Sequence, residues 1–325
     1  MQRRQFLQYS LATLSAGAAA SLIAPAQAHG LFSPDPSSPT DAAAFRAMRR
    51  FAELPFGRIA YVDHGRGKAA LFLHGAPLNG FQWRGAIDRL TAYRRCIAPD
   101  FMGLGYSEVP EGQSLAAADQ AAMLVALLDK LGLREVDIVA SDCGVAVAQL
   151  LLVRHPERVR SLLLTNGDVE IDSPPAKVKP VIDMARQGTL ADATAKWLTD
   201  RALARATFGA AAFHAPDRLA DETIDYYVTP LVGTPLRRQQ YHAFHLALEP
   251  NPLKGIEAKL KRSQVPVRIV WGASDDIFAM ADAAYLDRTF PQSRGIRPVP
   301  DGKLFFQEEY PEVIAEEAKR LWRAG

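Results

Sequence analysis

Short apolar, β-branched runs alternate with segments of helical spacing along most of the chain. The runs are Gly57–Val62, Ala69–Leu73, Cys96–Ala98, Val136–Ala140, Ser161–Thr165, Val265–Trp271 and Gly295–Val299. Their length and bounding residues predict strands. Between them, Leu115–Leu131 carries Leu115, Met123, Leu124, Leu127, Leu128 and Leu131 at helical spacing, with Ser114 as its N-cap. Val145–His155 is nearly all apolar, as a helix pressed on a sheet should be, and Pro311–Trp322 closes the chain with proline at a first-turn position. Strand alternating with helix predicts an α/β fold: a mostly parallel sheet flanked by helices on both faces.

One region breaks the alternation. Residues 171–260 hold Pro174-Pro175, several helical patches and the run Asp225-Tyr226-Tyr227-Val228, but no strand pattern. They read as a helical cap inserted over the carboxyl edge of the sheet, where open α/β sheets bind ligands. The core is then divided into 51–170 and 261–325. No internal repeat is visible. No Gly-x-Gly-x-x-Gly follows the first strand and no metal-ligand spacing occurs, so no cofactor is expected.

The start of the chain is different again. Residues 1–28 run from Arg3-Arg4 through Phe6-Leu7 and an Ala-rich apolar stretch to Ala26-Gln27-Ala28. A basic start, a short apolar run and a small-x-small end describe a cleaved signal peptide. The paired arginines resemble the twin-arginine export signal, which implies a periplasmic or secreted bacterial protein. Residues 29–50, with Pro34, Pro36 and Pro39, read as a linker or N-terminal arm.

Charge sharpens this picture. The 325 residues carry 38 Lys plus Arg against 36 Asp plus Glu. Arg3 and Arg4 are the only charged residues before His29, so the chain without its leader is balanced at 36 against 36. A neutral surface lacks the basic footprint that nucleic acid requires. A small-molecule substrate is expected instead, with no membrane partner once the leader is removed. Cys96 and Cys143 are too few for a disulfide framework and are expected to stay apart and unpaired.

Three segments carry candidate chemistry. Leu71-Phe72-Leu73-His74-Gly75-Ala76-Pro77 ends a strand at a Gly-containing turn. Ala98-Pro99-Asp100-Phe101-Met102-Gly103-Leu104-Gly105-Tyr106-Ser107 follows another strand. Val136-Asp137-Ile138-Val139-Ala140-Ser141-Asp142-Cys143-Gly144-Val145 passes from strand through a sharp turn into a helix. In this order they resemble the α/β-hydrolase family, over most of residues 51–325. The third segment is its nucleophile elbow, a strained turn of pattern small–x–nucleophile–x–small. Ala140-Ser141-Asp142-Cys143-Gly144 fits with Asp142 at the apex. Ser141 would put Val139 and Cys143 at the small positions, and Cys143 would put Ser141 and Val145 there. A carboxylate at the apex attacks sp³ carbon and forms an ester. The resemblance therefore narrows to the haloalkane dehalogenase and epoxide hydrolase branch, with the backbone N–H groups of Ala76 and Cys143 as the oxyanion hole. The stretch His74-Gly75-Ala76-Pro77 followed by Phe81-Gln82-Trp83-Arg84 looks like the dehalogenase form of the first motif.

The same resemblance exposes what is missing. It implies an acid after the next-to-last strand, where Ser274-Asp275-Asp276 offers Asp275, with Asp276 beside it and Asp168 after the preceding strand as alternatives. It implies a histidine after the last strand, where this chain has Leu304 in Asp301-Gly302-Lys303-Leu304-Phe305-Phe306, and no histidine follows His245. His214, His242 and His245 lie in the cap, from which one could reach the pocket. The side-chain N–H donors with which dehalogenases hold the halide are replaced by Cys143 and Ala76. Tyr227 and Tyr241 resemble in position the cap tyrosines that protonate an opening epoxide. Two functions follow: a hydrolase with an Asp142 nucleophile acting on a small apolar substrate, or a hydrolase-fold protein without hydrolytic turnover, either a binding protein or a lyase- or isomerase-like enzyme with Asp142 as base.

The export reading has a direct test. Changing Arg3 and Arg4 together to Lys should hold the protein in the cytoplasm with its leader attached, as read by fractionation and intact mass. Normal maturation of the double variant would remove the twin-arginine reading.

Overall fold

The computed structural model describes residues 40–323. The expected leader, 1–28, and the first part of the expected arm, 29–39, lie outside the described residues. Eight strands form one sheet: β1 (Arg49–Leu54), β2 (Gly57–His64), β3 (Ala69–Leu73), β4 (Arg95–Pro99), β5 (Val136–Asp142), β6 (Val159–Gly167), β7 (Val267–Gly272) and β8 (Ser293–Val299). Their order is β1-β2-β4-β3-β5-β6-β7-β8. β2 runs antiparallel to both neighbours, and every pairing from β4 to β8 is parallel. Parallel neighbours need crossover connections, which the helices supply. β5 sits mid-sheet with all of its residues buried. The helix Cys143–Arg154 that follows is buried along most of its length, which explains why it is uniformly apolar rather than striped.

Two local expectations are corrected. The end of the expected arm is structured: a helix spans Ala42–Met48 and β1 begins at Arg49. The Asp41 carboxylate caps that helix by accepting the Ala44 N–H at 2.7 Å. Phe45 anchors it edge-on against Phe81 at 5.2 Å between ring centroids. β1 escaped notice because only Ala52 of its six residues is buried, so no alternation marks it. Ser114 does not cap the long helix, which starts at Ala117; its hydroxyl donates to Asp119 instead.

Between β6 and β7 the chain forms only helices and turns, apart from one isolated bridge at Val169 and Asp172. The helix Asp221–Val232 docks this insertion on the core. Tyr226 packs on Phe81 at 4.5 Å, and Asn79 Nδ2 donates to the Tyr226 carbonyl at 3.2 Å. Beside it the Tyr227 hydroxyl bonds the Glu308 carboxylate, which Arg84 meets at 2.7 Å. Both charged side chains are largely withdrawn from water, at 14% and 5% exposure. Removing one member of a buried pair strands the other without solvation. Glu308→Ala should therefore lower stability by about 3–5 kcal/mol, read as a shift of the urea midpoint. A loss below about 1 kcal/mol, typical of an exposed pair, would show that this contact does not tie the insertion to the core.

Candidate active site

β5 runs into the helix Cys143–Arg154 without a loop, and the reversal falls on Asp142. Its φ is 55° and its ψ −130°. It is the one non-glycine residue with positive φ among the described residues. Such a conformation costs about 1–3 kcal/mol and persists only when its surroundings enforce it. The neighbours do so by being small. A Cβ on Gly75 would meet the Asp142 Cβ and Oδ2 at 2.6 Å, and one on Gly144 would meet the Leu73 and His74 carbonyl oxygens at 2.8 Å. Of the three registers weighed from sequence, the apex is Asp142. Ser141 lies beneath it, bonded to Gln307 at 3.1 Å, and Cys143 opens the helix.

The Asp142 carboxyl borders a cavity of about 520 Å³. Ala76, Cys143 and Asp168 share the core side with it, while Trp197, Phe208 and Tyr241 line the opposite side from the cap. The Ala76 N–H donates to Asp142 Oδ2 at 2.7 Å. The Cys143 amide also favours the ionised carboxylate. These are the two donors expected of an oxyanion hole, and one oxygen of Asp142 already occupies it.

Lys177 and Lys196 also line the cavity, but the charges that act most on its buried carboxyls are of one sign. Burial first, then the charges of Asp168 and Asp275, push the Asp142 carboxyl up to about 8, against the pull of the two amides. Burial also raises Asp168 to about 7, helped by Asp172 and Asp282 and opposed by the Ser173 hydroxyl, which donates to its Oδ1 at 2.7 Å. Asp275 is raised to about 6, again mainly by burial. It accepts from Asn166 Nδ2 at 2.8 Å and from the Ile277 N–H at 2.9 Å. The charges that act most on Asp142 and Asp168 are all carboxylates.

The remaining expected residues divide. Leu304 is 5% exposed and lines the cavity beside Phe305, so the position of the expected histidine is apolar surface. His245 reaches the cavity, with Nδ1 against the Tyr241 carbonyl at 2.9 Å and burial pushing it down to about 4. His242 instead accepts the Ala191 N–H at 2.9 Å, and His214 is exposed. Tyr241 borders the cavity, its hydroxyl 3.4 Å from Thr194 Oγ1. Tyr227 does not serve as its companion there: its hydroxyl is committed to the buried Glu308 and Arg84 pair. Asp276 is exposed and pairs with Lys177, which removes it as an alternative to Asp275. Cys96 and Cys143 are both buried and free.

Sequence reasoning missed the polar layer under the elbow. The Gln82 Oε1 accepts the Gly75 N–H at 2.9 Å, and the Gln307 amide donates to Thr165 Oγ1 at 2.7 Å. Glutamine is ordinarily a surface residue, so nothing in its spacing marks it as buried. For Gln307 the available signal is its place just beyond Leu304 and the aromatic pair Phe305-Phe306, at the start of the short helix Phe306–Glu309.

The raised Asp142 carboxyl has a consequence for stability. Its ordinary value is 3.8, and in the folded protein about 8. Between those values the folded state keeps a proton that the unfolded state has released, so stability falls as pH rises through that window. Asp142→Asn removes the penalty. The variant should exceed the wild type in stability by an amount on the order of a few kcal/mol at alkaline pH. The gap should close as pH falls towards the ordinary carboxyl range. Thermal midpoints across pH measure this, and parallel curves for the two proteins would contradict it.

Comparison with known proteins agrees with this geometry. The sequence pattern of the α/β hydrolase fold family matches residues 69–310. Haloalkane dehalogenase 2 of Mycobacterium tuberculosis is 27% identical, over 87% of this chain and 96% of that one. A solved ancestral haloalkane dehalogenase superposes with a TM-score of 0.71 at 25% identity, covering 84% of this chain and 98% of its own. The epoxide hydrolase CorEH superposes at 0.69 with 22% identity, covering 85% and 98%. The chain belongs to the α/β-hydrolase fold family.

Proposed function

We propose that the protein hydrolyses small apolar alkyl electrophiles, haloalkanes or epoxides, through a covalent ester on Asp142. The observation that carries this reading is a strained carboxyl, held through Oδ2 by the Ala76 N–H, at the edge of a largely apolar cavity. The free oxygen attacks the sp³ carbon, and the carbon–halogen or carbon–oxygen bond breaks. The oxygen bound by Ala76 becomes the carbonyl of the ester. It remains in the oxyanion hole when water adds to that carbonyl and negative charge develops there. The apolar lining, with Phe208, Trp197 and Leu304, selects for small hydrophobic substrates. The leader motif supports work outside the cytoplasm.

A second reading, in which the ester forms but is not released, is favoured by Leu304. A leucine cannot accept a proton from water. Under that reading the protein captures one equivalent of electrophile and stops.

Both readings require the carboxylate form of Asp142. Its ionised fraction rises with pH through about 8, so the rate of ester formation from an alkyl bromide, whose leaving group needs no proton, should rise with pH and level off above that value. The measurement is intact mass after exposure to butyl bromide and to hexene oxide, followed by digestion to map the adduct. An adduct on Asp142, absent from Asp142→Asn, supports the mechanism. Absence of the adduct and of any alcohol or diol product with every probe, in the wild type and in Leu304→His alike, overturns it. A wild-type adduct that persists, and that Leu304→His releases about 10²–10⁴-fold faster, selects the second reading.

A further inference from the structure

The cavity lacks the histidine that would carry protons, yet it contains a second carboxyl. Asp142 pairs with Gly167 across β5 and β6, so the next residue, Asp168, emerges beside it. The approach is close because residue 167 is glycine: a Cβ there would meet the Asp142 carbonyl oxygen at 2.5 Å. Asp168 is then fixed from two sides. Gln149, on the helix after the elbow, donates to its carbonyl at 2.8 Å, and Ser173 donates to its Oδ1 at 2.7 Å. The side chain is 6% exposed and borders the same cavity as Asp142. An oriented, buried carboxyl at the reaction cavity is more than a turn cap requires.

We propose that Asp168 moves the proton in this cavity: it protonates the oxygen released when Asp142 opens an epoxide, then takes a proton from the water that hydrolyses the ester. The inference rests on the Asp142 ester of the preceding reading and names epoxides as the substrate class it serves best. The charge of Asp168 favours the protonated form of Asp142, so near neutral pH the two carboxyls share a proton that rests mainly on Asp142, and the reactive form is the one in which it has moved to Asp168. When Asp142 is the carboxylate, that proton is on Asp168. Asp142 attacks carbon, the epoxide carbon–oxygen bond breaks, and the alkoxide takes the proton from Asp168. Asp168, now ionised, accepts a proton from water as the hydroxyl adds to the ester carbonyl. The tetrahedral oxyanion sits against the Ala76 and Cys143 amides. It collapses with cleavage of the ester carbon–oxygen bond, and the departing alkoxide recovers the proton from Asp168. Asp142 is left protonated, and passing that proton to Asp168 restores the pair. The balance is one epoxide and one water to one diol.

The groups facing Asp168 agree with this role. Asp142 and the Cys143 thiol face it from the elbow, Asp172 and the Ser173 hydroxyl from the following turn, and Asp282 from the helix Met280–Thr289. None of these is a cation, and Lys177 and Lys196, which line the same cavity, are not among the charges that act most on Asp168. Burial places its proton affinity near neutrality, at about 7. Tyr241 and His245, which also border the cavity, are the competing acid and base.

The test compares a leaving group that needs a proton with one that does not. In Asp168→Asn, ester formation from hexene oxide should slow by about 10²–10⁴-fold. Ester formation from butyl bromide should stay at least as fast as in the wild type, because bromide leaves unprotonated. The butyl ester should then persist on Asp142, whereas the wild type hydrolyses it and turns over. Ser173→Ala supplies a milder second measurement. It removes a hydrogen bond that favours ionised Asp168, so the pH inflection of ester hydrolysis should move upward from about 7. Unchanged ester hydrolysis in Asp168→Asn, or an unmoved inflection in Ser173→Ala, would overturn the proposal. So would losses that appear in Tyr241→Phe or His245→Gln and not in Asp168→Asn. A persistent ester in the wild type would overturn it too, while leaving the Asp142 nucleophile intact. No ester on Asp142 in any variant would overturn the underlying reading and this inference with it.

Discussion

The backbone reversal at Asp142 is the constraint from which the site follows. An L-residue at φ 55° is disfavoured by its own Cβ, and the sheet holds it there by crowding from below and yielding above. Gly75 and Gly144 leave the room that the turn needs, and the helix after Asp142 anchors it by being buried almost throughout. The His74 ring fastens the opposite wall, Nδ1 to the Gly75 carbonyl at 2.8 Å and Nε2 to the Phe101 N–H at 2.9 Å. Burial lowers its proton affinity, so the ring stays neutral and serves as a rigid strut between two turns. The result is a side chain whose position is determined by backbone and whose oxygen lies where the Ala76 amide points.

That geometry creates an electrostatic problem in the same stroke. Asp142 and Asp168 enter one largely apolar cavity from adjacent strands, and Asp275 acts on Asp142 from the next strand end. In the family's usual arrangement an imidazole between nucleophile and acid absorbs such charge by taking a proton. Here Leu304 stands in that place, and burial, with the neighbouring carboxylates adding to it, raises all three carboxyls. Burial pushes His245, the one cavity histidine among the described residues, down to about 4, so the groups that hold protons near neutral pH are carboxyls whose ordinary values lie well below it.

Much of this was legible in the chain and some was not, for physical reasons. The central parallel strands are buried on both faces, so they stand out as short apolar runs; β3 and β5, buried throughout, are the clearest cases. The elbow was legible because its sterics demand small residues at fixed spacing around Asp142. β1 was not, since an edge strand with one buried residue leaves no pattern. Tyr227 illustrates a different limit. Its place in the cap resembles that of a substrate-facing tyrosine, but position in the chain cannot tell a cavity from a buried ion pair, and the Arg84 and Glu308 pair claims it. His245 reverses the error: one helical turn beyond Tyr241, it shares the face that meets the cavity, a relation visible only once the helix Pro235–Leu246 is docked.

Asp275 shows why an acid can persist where its usual partner is gone. Asn166 lies across from it at the end of β6 and binds β7 twice, donating to the Gly272 carbonyl at 3.1 Å and accepting the Gly272 N–H at 2.6 Å. The same amide donates to Asp275, whose carboxyl also accepts the backbone N–H groups of Ile277 and Phe278. Removing Asp275 would leave those donors unsatisfied in a buried turn, a cost of about 1–3 kcal/mol for each group. The carboxyl therefore has a structural role that is independent of catalysis and sufficient to explain its presence. Asp168 differs in kind: its backbone is gripped by Gln149, its side chain receives the Ser173 hydroxyl, and its carboxyl faces the space where a substrate would lie. Of the two carboxyls that accompany Asp142, one closes a turn and the other is positioned for chemistry, a distinction set by what each oxygen meets and not by rank in the chain.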